Sequence, residues 1–224
     1  MALPRAVILV EGISDQRALE ALAARRGRAL TADGVAVVAM GGAKNIGRLL
    51  EEFGPRGSDV ALTGLYDVAE EPDVRRGLER AGLGSGSSRL ELERLGFYAC
   101  IEDLEDELIR AVGAERVMNI VEEQGELGPF RTLQKQPEWR GRPLDQQIRR
   151  FLGNSSRKID YAPLLVGALD LSSTPRPLDA VLAHVRRARL PPHLSSRRPD
   201  EETDVRFDPR GSEDGGAGTF RPVP

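Results

Sequence analysis

The residues best suited to chemistry in this sequence are carboxylic acids that follow apolar segments. Glu11 comes directly after the apolar run 6–10, Asp67 comes directly after the run 60–66, and a third acidic group follows the run 96–101. The third group begins with Glu102, and the predicted metal ligands in the three places are Glu11, Asp15, Asp67, Glu70, Glu71, Asp103 and Glu105. Gathered carboxylates repel one another unless cations neutralise them, and oxygen ligands without His or Cys favour Mg²⁺, Mn²⁺ or Ca²⁺. The pattern therefore predicts a divalent-cation site.

The elements that would position these acids alternate between strand and helix. Apolar runs rich in β-branched residues predict strands at 6–10, 35–39, 60–66 and 96–101, and apolar residues at helical spacing follow each run. Parallel strands need crossover helices between them, so this alternation predicts an α/β fold with a mainly parallel sheet. Ligands of such sheets bind beyond the carboxyl ends of the strands, which is where the acids fall.

Each acid also has a purely structural interpretation. Asp and Glu in the first turn of a helix interact favourably with the helix dipole, and for Asp15 and Glu71 this explanation is at least as good as a ligand role. Glu11 and Asp67 directly follow strands, which favours a functional role for these two. Ser14 is predicted to be the N-cap of the first helix rather than a nucleophile, because no histidine lies near it in the sequence to activate it.

The second half of the chain differs in character from the first. Helical patterns occur at 114–123, 144–152, 159–169 and 178–189, with a polar loop predicted at 125–142. We therefore expect a catalytic domain over 1–115 and a helical appendage over 116–190. Residues 191–224 have almost no apolar periodicity, which predicts a disordered tail.

Charge reverses its sign along the chain. Residues 59–128 contain 17 acidic and 7 basic side chains, whereas residues 131–158 contain 8 basic and 2 acidic ones, with Trp139 and Phe151 among them. Such a basic segment could contact phosphates and stack a base, although a solvated helix face with a packed tryptophan is the simpler interpretation of the segment by itself. The predicted nucleic-acid contacts are Arg131, Lys135, Arg140, Arg149, Arg150 and Arg157.

Composition excludes several classes of protein. The 224 residues are 40% hydrophobic and 30% charged, which is typical of a globular protein. The formal charge of −3 excludes a global positive field that would attract nucleic acid. A single cysteine and two histidines exclude a disulfide framework and a multi-cysteine zinc site. No apolar stretch is long enough for a signal peptide or a membrane span, so we expect a cytoplasmic protein that does not engage a membrane.

Several motifs resemble the Toprim domains of OLD-family (overcoming lysogenization defect) nucleases. The segment VEGISD at 10–15 looks like the first Toprim signature, a strand that ends in a glutamate before a small turn. Asp67 resembles the start of the second signature, an aspartate-x-aspartate motif, and Gly41-Gly42 resembles the second β-α turn. The segment IEDLE at 101–105 is similar to the acidic stretch that opens the next helix. The resemblance covers residues 5–115 closely and implies a Toprim-like, Rossmann-like fold.

The resemblance implies a metal-dependent nuclease that hydrolyses DNA with two Mg²⁺ or Mn²⁺ ions, and it leaves RNA substrates and oligomerisation open. Glu11 would be catalytic as well as metal-binding, and Lys158 looks like the family's catalytic lysine. Ala69 stands where the second aspartate of the motif is expected, and Glu70 or Glu71 could supply that carboxylate. Ala69 also supports the alternative of a non-catalytic nucleic-acid-binding or assembly module. The chain contains no GxxxxGK[ST] loop and hence no ATP site, so an ATPase partner would be separately encoded.

Overall fold

A four-stranded parallel sheet forms the centre of the protein. The computed structural model describes residues 3–153 and 155–187. The strands are β1 (Ala6–Val10), β2 (Val35–Ala39), β3 (Ala61–Asp67) and β4 (Phe97–Cys100). Their order in the sheet is β2-β1-β3-β4, and every neighbouring pair is parallel. The carboxyl ends of β1 and β3 therefore lie side by side in the middle of one sheet edge.

Ten α-helices occur in the described part of the chain. Four alternate with the strands or follow the last one: α1 (Ile13–Arg25), α2 (Ile46–Phe53), α3 (Glu71–Ala81) and α5 (Leu104–Val112). A short helix, α4 (Arg89–Arg94), precedes β4. The remaining helices are α6 (Ala114–Glu123), α7 (Leu127–Lys135), α8 (Leu144–Leu152), α9 (Ser155–Ala168) and α10 (Arg176–Arg187). The fold is thus α/β, a parallel sheet flanked by helices, as the sequence predicted.

The central strand β1 is buried on both faces of the sheet. Ala6, Ile8 and Val10 point into one apolar core, and Val7 and Leu9 point into the other. All five side chains are fully buried. A strand covered on both faces needs a continuous apolar run rather than alternation, which is why the run 6–10 identified it in the sequence.

The two apolar cores differ in extent. The smaller core lies between the sheet and α2, α3 and α4. The larger core begins under α1 and continues without a break into α5 to α10, where Phe130 of α7 and Phe151 of α8 meet edge to face at 5.2 Å. Arg25 on α1 donates hydrogen bonds to the backbone carbonyls of Val166 and Leu169, which ties α1 to α9. The helical half therefore shares its core with the sheet.

One expectation about secondary structure was wrong, and one helix was missed. The segment 125–142 is not a polar loop throughout, because it contains α7, whose Phe130 is 1% exposed in the larger core. Three apolar residues at helical spacing anchor α7 although most of its neighbours are polar. Helix α4 was not predicted at all; it begins where the Ser88 hydroxyl accepts a hydrogen bond from the Glu91 N–H. The predicted disordered tail, 191–224, lies outside the described residues.

No helix in residues 3–153 or 155–187 combines the length and the apolar character that crossing a membrane requires.

Candidate functional site

Three carboxylates converge at the carboxyl edge of the two central strands. Glu11 follows β1, Asp67 ends β3, and Glu70 closes a short 3-10 turn formed by Val68–Glu70. One oxygen of each of the three acids lies within 4.8 Å of the corresponding oxygens of the other two. We call Glu11, Asp67 and Glu70 the acidic cluster. It forms because β1 and β3 are neighbours and run in the same direction.

A pocket of about 320 Å³ opens in front of this edge and is called the acidic pocket. Its lining combines strand ends, glycine turns and the first turn of α5, together with one lysine from α9. The lining residues are Glu11, Gly12, Ser14, Asp15, Gly41, Gly42, Asp67, Asp103, Leu104, Glu105 and Lys158. Five of these side chains are acidic and only one, Lys158, is basic, so the lining of the pocket is strongly negative.

Two turns fix the backbone at the floor of the acidic pocket. The Gly12 N–H donates to Asp15 Oδ2 at 2.8 Å at the start of α1. The N–H groups of Gly41 and Gly42 donate to the Glu11 carbonyl, with φ angles of 71° and 114° that side-chain-bearing residues rarely adopt. The helix N-cap is therefore Gly12, and the prediction of Ser14 as N-cap was wrong: Ser14 lies inside the first turn and is buried against the pocket.

Three acids of the site, Asp67, Asp15 and Glu70, have pKa values well above those of free carboxylic acids. Burial, together with the charge of Glu11, raises the pKa of Asp67 to about 8. Burial also raises the pKa of Asp15 to about 7, with the charges of Glu105 and Glu11 adding to the effect. Burial and the neighbouring Glu11 raise the pKa of Glu70 to about 7. Near neutral pH the site thus carries protons that a bound cation would replace.

Unpartnered oxygens point to the same conclusion. Among the described residues, Glu70 Oε2 and Glu105 Oε1 are buried and accept no hydrogen bond. A buried carboxylate oxygen without a partner is costly, and a hard cation is the ligand that satisfies several such oxygens at once. The donor set of the site therefore fits a divalent metal ion.

Lys158 reaches the acidic pocket from the helical half of the protein. Its Nζ donates to Glu105 Oε2 at 3.0 Å, and the Glu105 side chain is buried. Burial alone would lower the pKa of Lys158, but the negative charges of Glu105, Asp103 and Asp15 raise it overall. The ammonium group therefore stays charged at the rim of the pocket.

Two of the predicted metal ligands are engaged elsewhere. Glu71 Oε1 accepts from Arg75 at 2.6 Å and Oε2 faces Arg89, and the hydrogen bond from Arg75 leads the effects that lower the pKa of Glu71. The structure therefore does not bring Glu71 to the acidic cluster. Asp103 lines the pocket, but its Oδ1 accepts from the Asp106 N–H at the start of α5 and its Oδ2 accepts from Arg149 at 2.9 Å.

The predicted nucleic-acid contacts fall into two groups. Arg131, Lys135 and Arg140 are exposed. Arg149 pairs with Glu102 and Asp103, Arg157 pairs with Glu126 at 2.7 Å, and Arg150 lies over the Trp139 ring. Sequence reasoning missed the contact between Arg149 and Asp103, because no spacing pattern indicates a pairing between residues so far apart in the chain.

Part of the chain matches a known family of protein domains. The family model described as "Overcoming lysogenization defect protein-like, TOPRIM domain" matches residues 3–61, the segment that contains Glu11, Asp15 and the Gly41-Gly42 turn. No curated protein matches the chain.

Solved structures resemble the chain over most of its length. The C-terminal region of the Burkholderia pseudomallei OLD protein aligns with a TM-score of 0.62 at 19% identity, covering 84% of this chain and 99% of that one. The C-terminal region of the Xanthomonas campestris pv. campestris OLD protein aligns with a TM-score of 0.64 at 23% identity, covering 82% and 93%. A second structure of that region gives 0.64 at 24% identity, covering 84% and 97%.

Fold and sheet-edge acids together define a Toprim-like α/β protein. More particularly, the chain resembles the C-terminal regions of OLD proteins: in sequence over the OLD-like Toprim segment 3–61, and in fold over more than four-fifths of its length.

Proposed function

We propose that this protein is a metal-dependent nuclease that hydrolyses phosphodiester bonds of DNA at the acidic pocket. The observation that carries the proposal is the convergence of Glu11, Asp67 and Glu70, each within 4.8 Å of the others, at the edge where ligands of parallel sheets bind. The resemblance to OLD-family nucleases supports the same reaction class. Divalent cations held by acidic residues are well suited to phosphoryl chemistry, since they neutralise charge on the phosphate.

In this proposal the carboxylates would serve as two neighbouring sets of ligands for Mg²⁺ or Mn²⁺. Glu11 with Asp15 would hold one ion, and Asp67 with Glu70 would hold the other. Glu105 offers its unpartnered Oε1 to complete the shell. Bound ions of this kind lower the pKa of an attacking water and stabilise the leaving oxygen.

Glu70 can supply the carboxylate that is missing at Ala69, where the motif has its second aspartate. Ala69 lies in the 3-10 turn between Asp67 and Glu70, and this turn brings the Glu70 carboxylate to the acidic cluster. The missing aspartate of the motif is thus replaced by an acid one position later. This arrangement favours a catalytic protein over the alternative of a non-catalytic binding or assembly module.

Lys158 has a separate role in the proposed reaction. Its ammonium lies at the wall of the acidic pocket and pairs only with Glu105 among the described acids. A scissile phosphate at the acidic cluster would place a non-bridging oxygen near Lys158 Nζ, which would stabilise the charge that develops there. In the alternative to its role as a metal ligand, Glu11 would act as the general acid or base of the reaction.

Cleavage of supercoiled plasmid and of single-stranded DNA tests the proposal. Purified protein is incubated with Mg²⁺, Mn²⁺, Ca²⁺ or EDTA, beside the variants Glu11→Ala and Asp67→Ala. We expect cleavage with Mg²⁺ or Mn²⁺, none in EDTA, and none with either variant. Glu115→Gln is the matched control, since Glu115 is an exposed acid of α6 that does not line the acidic pocket.

The far-ultraviolet circular dichroism of both variants should match that of the parent protein, which separates loss of chemistry from loss of fold. Undiminished cleavage by folded Glu11→Ala or Asp67→Ala would contradict the assignment. Absence of cleavage by the parent protein with every metal, combined with metal binding by calorimetry, would favour the non-catalytic alternative.

A further inference from the structure

A second pocket, of about 460 Å³, opens beside the acidic pocket and shares two wall residues with it, Asp103 and Lys158. The far side of this second pocket is built from α8 and the segment before it, where one aromatic ring and three arginines face the same space. These residues are Trp139, Arg142, Arg149 and Arg150. We call it the arginine–tryptophan pocket.

The charge of the arginine–tryptophan pocket is opposite to that of its neighbour. Arg149 is neutralised by Glu102 and Asp103 on the shared wall. Arg142 and Arg150 are exposed, and neither forms an ion pair with any acid in the described parts of the chain. Two uncompensated guanidinium groups therefore lie next to a cluster of carboxylates. Guanidinium groups are the preferred protein partners of phosphate.

The backbone of Trp139 is held by two amide side chains, the buried Gln147 and the half-buried Gln134. Gln147 is 6% exposed, and its Nε2 donates to the Trp139 backbone carbonyl at 2.9 Å. Gln147 Oε1 in turn accepts from Gln134 at 2.7 Å. The Arg150 guanidinium lies 5.9 Å from the centre of the indole ring. The only tryptophan of the chain is thus fixed at the pocket wall and half-buried.

We propose that the arginine–tryptophan pocket binds an unpaired nucleotide that flanks the phosphodiester held at the acidic pocket. Its base stacks on Trp139, and its phosphate contacts Arg142 and Arg150. A base within a duplex is already stacked on both sides, so only an unpaired base can use the indole as a platform. Lys158 on the shared wall lies between the two phosphates. Gln147 is a positioning residue that holds the platform.

The inference rests on the proposed nuclease function only for what happens in the acidic pocket; binding in the second pocket is tested separately. Because Trp139 is the sole tryptophan, its fluorescence reports on this pocket alone. The full chain is titrated in EDTA, where no metal-dependent cleavage occurs, with short oligothymidylate. We expect saturable quenching of Trp139 emission. Blunt duplex DNA and an abasic strand of the same length should quench much less.

Affinity measured by anisotropy of a labelled oligothymidylate identifies the contacts. Trp139→Ala should weaken binding about 5- to 100-fold, the range that loss of one stacked base gives. Arg150→Gln should weaken it about 3- to 10-fold, the size of one exposed charged contact with phosphate. The matched control is Arg116→Gln, because Arg116 is also an exposed arginine without an ion pair in the described residues but lies on α6 outside the pocket.

The outcomes separate this inference from the proposed function. Quenching by the parent protein that persists in Glu11→Ala supports the pocket even if no nucleic acid is cleaved under any condition. Absence of quenching, or equal affinities for Arg150→Gln, Trp139→Ala and Arg116→Gln, overturns the pocket even if plasmid is cleaved. Equal quenching by duplex and single strand also overturns it. Parallel titrations with oligouridylate compare RNA with DNA. Tighter binding of oligothymidylate assigns the pocket to DNA, and tighter binding of oligouridylate assigns it to RNA.

Discussion

The acids at the sheet edge and the arginines of the helical half lie on adjoining pockets, yet the chain holds them in different ways. Asp67 and Glu70 sit in short segments fixed by strands, and burial raises the pKa of each well above its ordinary value. Arg142 precedes α8, Arg150 lies on α8, and both side chains are exposed. Ionised carboxylates on the acidic side therefore destabilise the metal-free folded state, whereas the exposed arginines keep their contact with water.

Two kinds of contact join the sheet half and the helical half of the protein. The apolar core that contains Ile8 and Val10 continues into the helical half at Phe130 and Phe151. The ion pairs between the halves include Arg149 with Glu102 and Asp103, which are partly exposed, and Lys158 with the buried Glu105. Apolar burial contributes far more to stability than exposed ion pairs do. We therefore expect the core, and not the charges, to hold the halves together.

The largest effect on stability is expected from a cavity made in this shared core. Phe130→Ala removes a side chain that is 1% exposed and leaves a cavity against Phe151, so we expect the free energy of unfolding to fall by about 3–5 kcal/mol. Urea denaturation followed by circular dichroism measures it. If the halves share one core, unfolding stays a single transition in parent and variant. Two separated transitions in the parent protein would show that the halves are independent.

The second-largest effect is expected from removing the Lys158 ammonium group, which reaches from the helical half to the acidic pocket. Lys158→Ala should reduce metal-dependent cleavage about 10²- to 10³-fold, the loss seen when one donor to a developing oxyanion is deleted. Metal affinity, measured by calorimetry, should not fall, because a positive charge next to Glu105 has been removed. Lys158→Arg should restore part of the rate. A variant with the parent rate would assign Lys158 a structural role only.

The cost of the acidic cluster is visible in the dependence of stability on pH. The pKa of Asp67 is about 8 in the folded protein against an ordinary value of 3.8. The unfolded chain therefore loses this proton first, and the metal-free folded state is penalised increasingly as the pH rises from about 4 to about 8. We expect Asp67→Asn to stabilise the metal-free protein at pH 8 by about 1–3 kcal/mol, allowing for solvent screening, and less at pH 5.

Thermal unfolding in EDTA at the two pH values measures this difference. Mg²⁺ should stabilise the parent protein at pH 8 and have little effect on Asp67→Asn, because the cation needs the deprotonated carboxylate. A stabilisation by Asp67→Asn that is the same at both pH values would contradict the electrostatic explanation.

The smallest expected effect is that of cutting the ionic contact between the halves. Arg149→Gln removes the pairs with Glu102 and Asp103, which are partly exposed, and should change the free energy of unfolding by less than about 1 kcal/mol. The same urea denaturation measures it beside Phe130→Ala. A loss comparable to that of Phe130→Ala would mean that charge, and not the shared core, joins the two halves.

The sheet could be predicted almost completely from the sequence. All four strands occur within two residues of their predicted ends, because parallel strands covered on both faces leave continuous apolar runs. Helix α7 could not be predicted in the same way. Its buried side is narrow, and Phe130 is its only fully buried residue among polar neighbours, so its composition resembled that of a loop.

The sequence by itself placed acids after strands and a basic segment beyond them, since strand runs and charge counts are local properties of the chain. Only the tertiary structure decided which side chains meet. The 3-10 turn Val68–Glu70 brings Glu70 to Glu11, whereas Glu71, as the first residue of α3, pairs with Arg75 one turn later. The packing of α9 against α1 and α5 likewise brings Lys158 to Glu105. Such meetings depend on the direction of each side chain and on contacts between distant segments, which spacing along the chain does not encode.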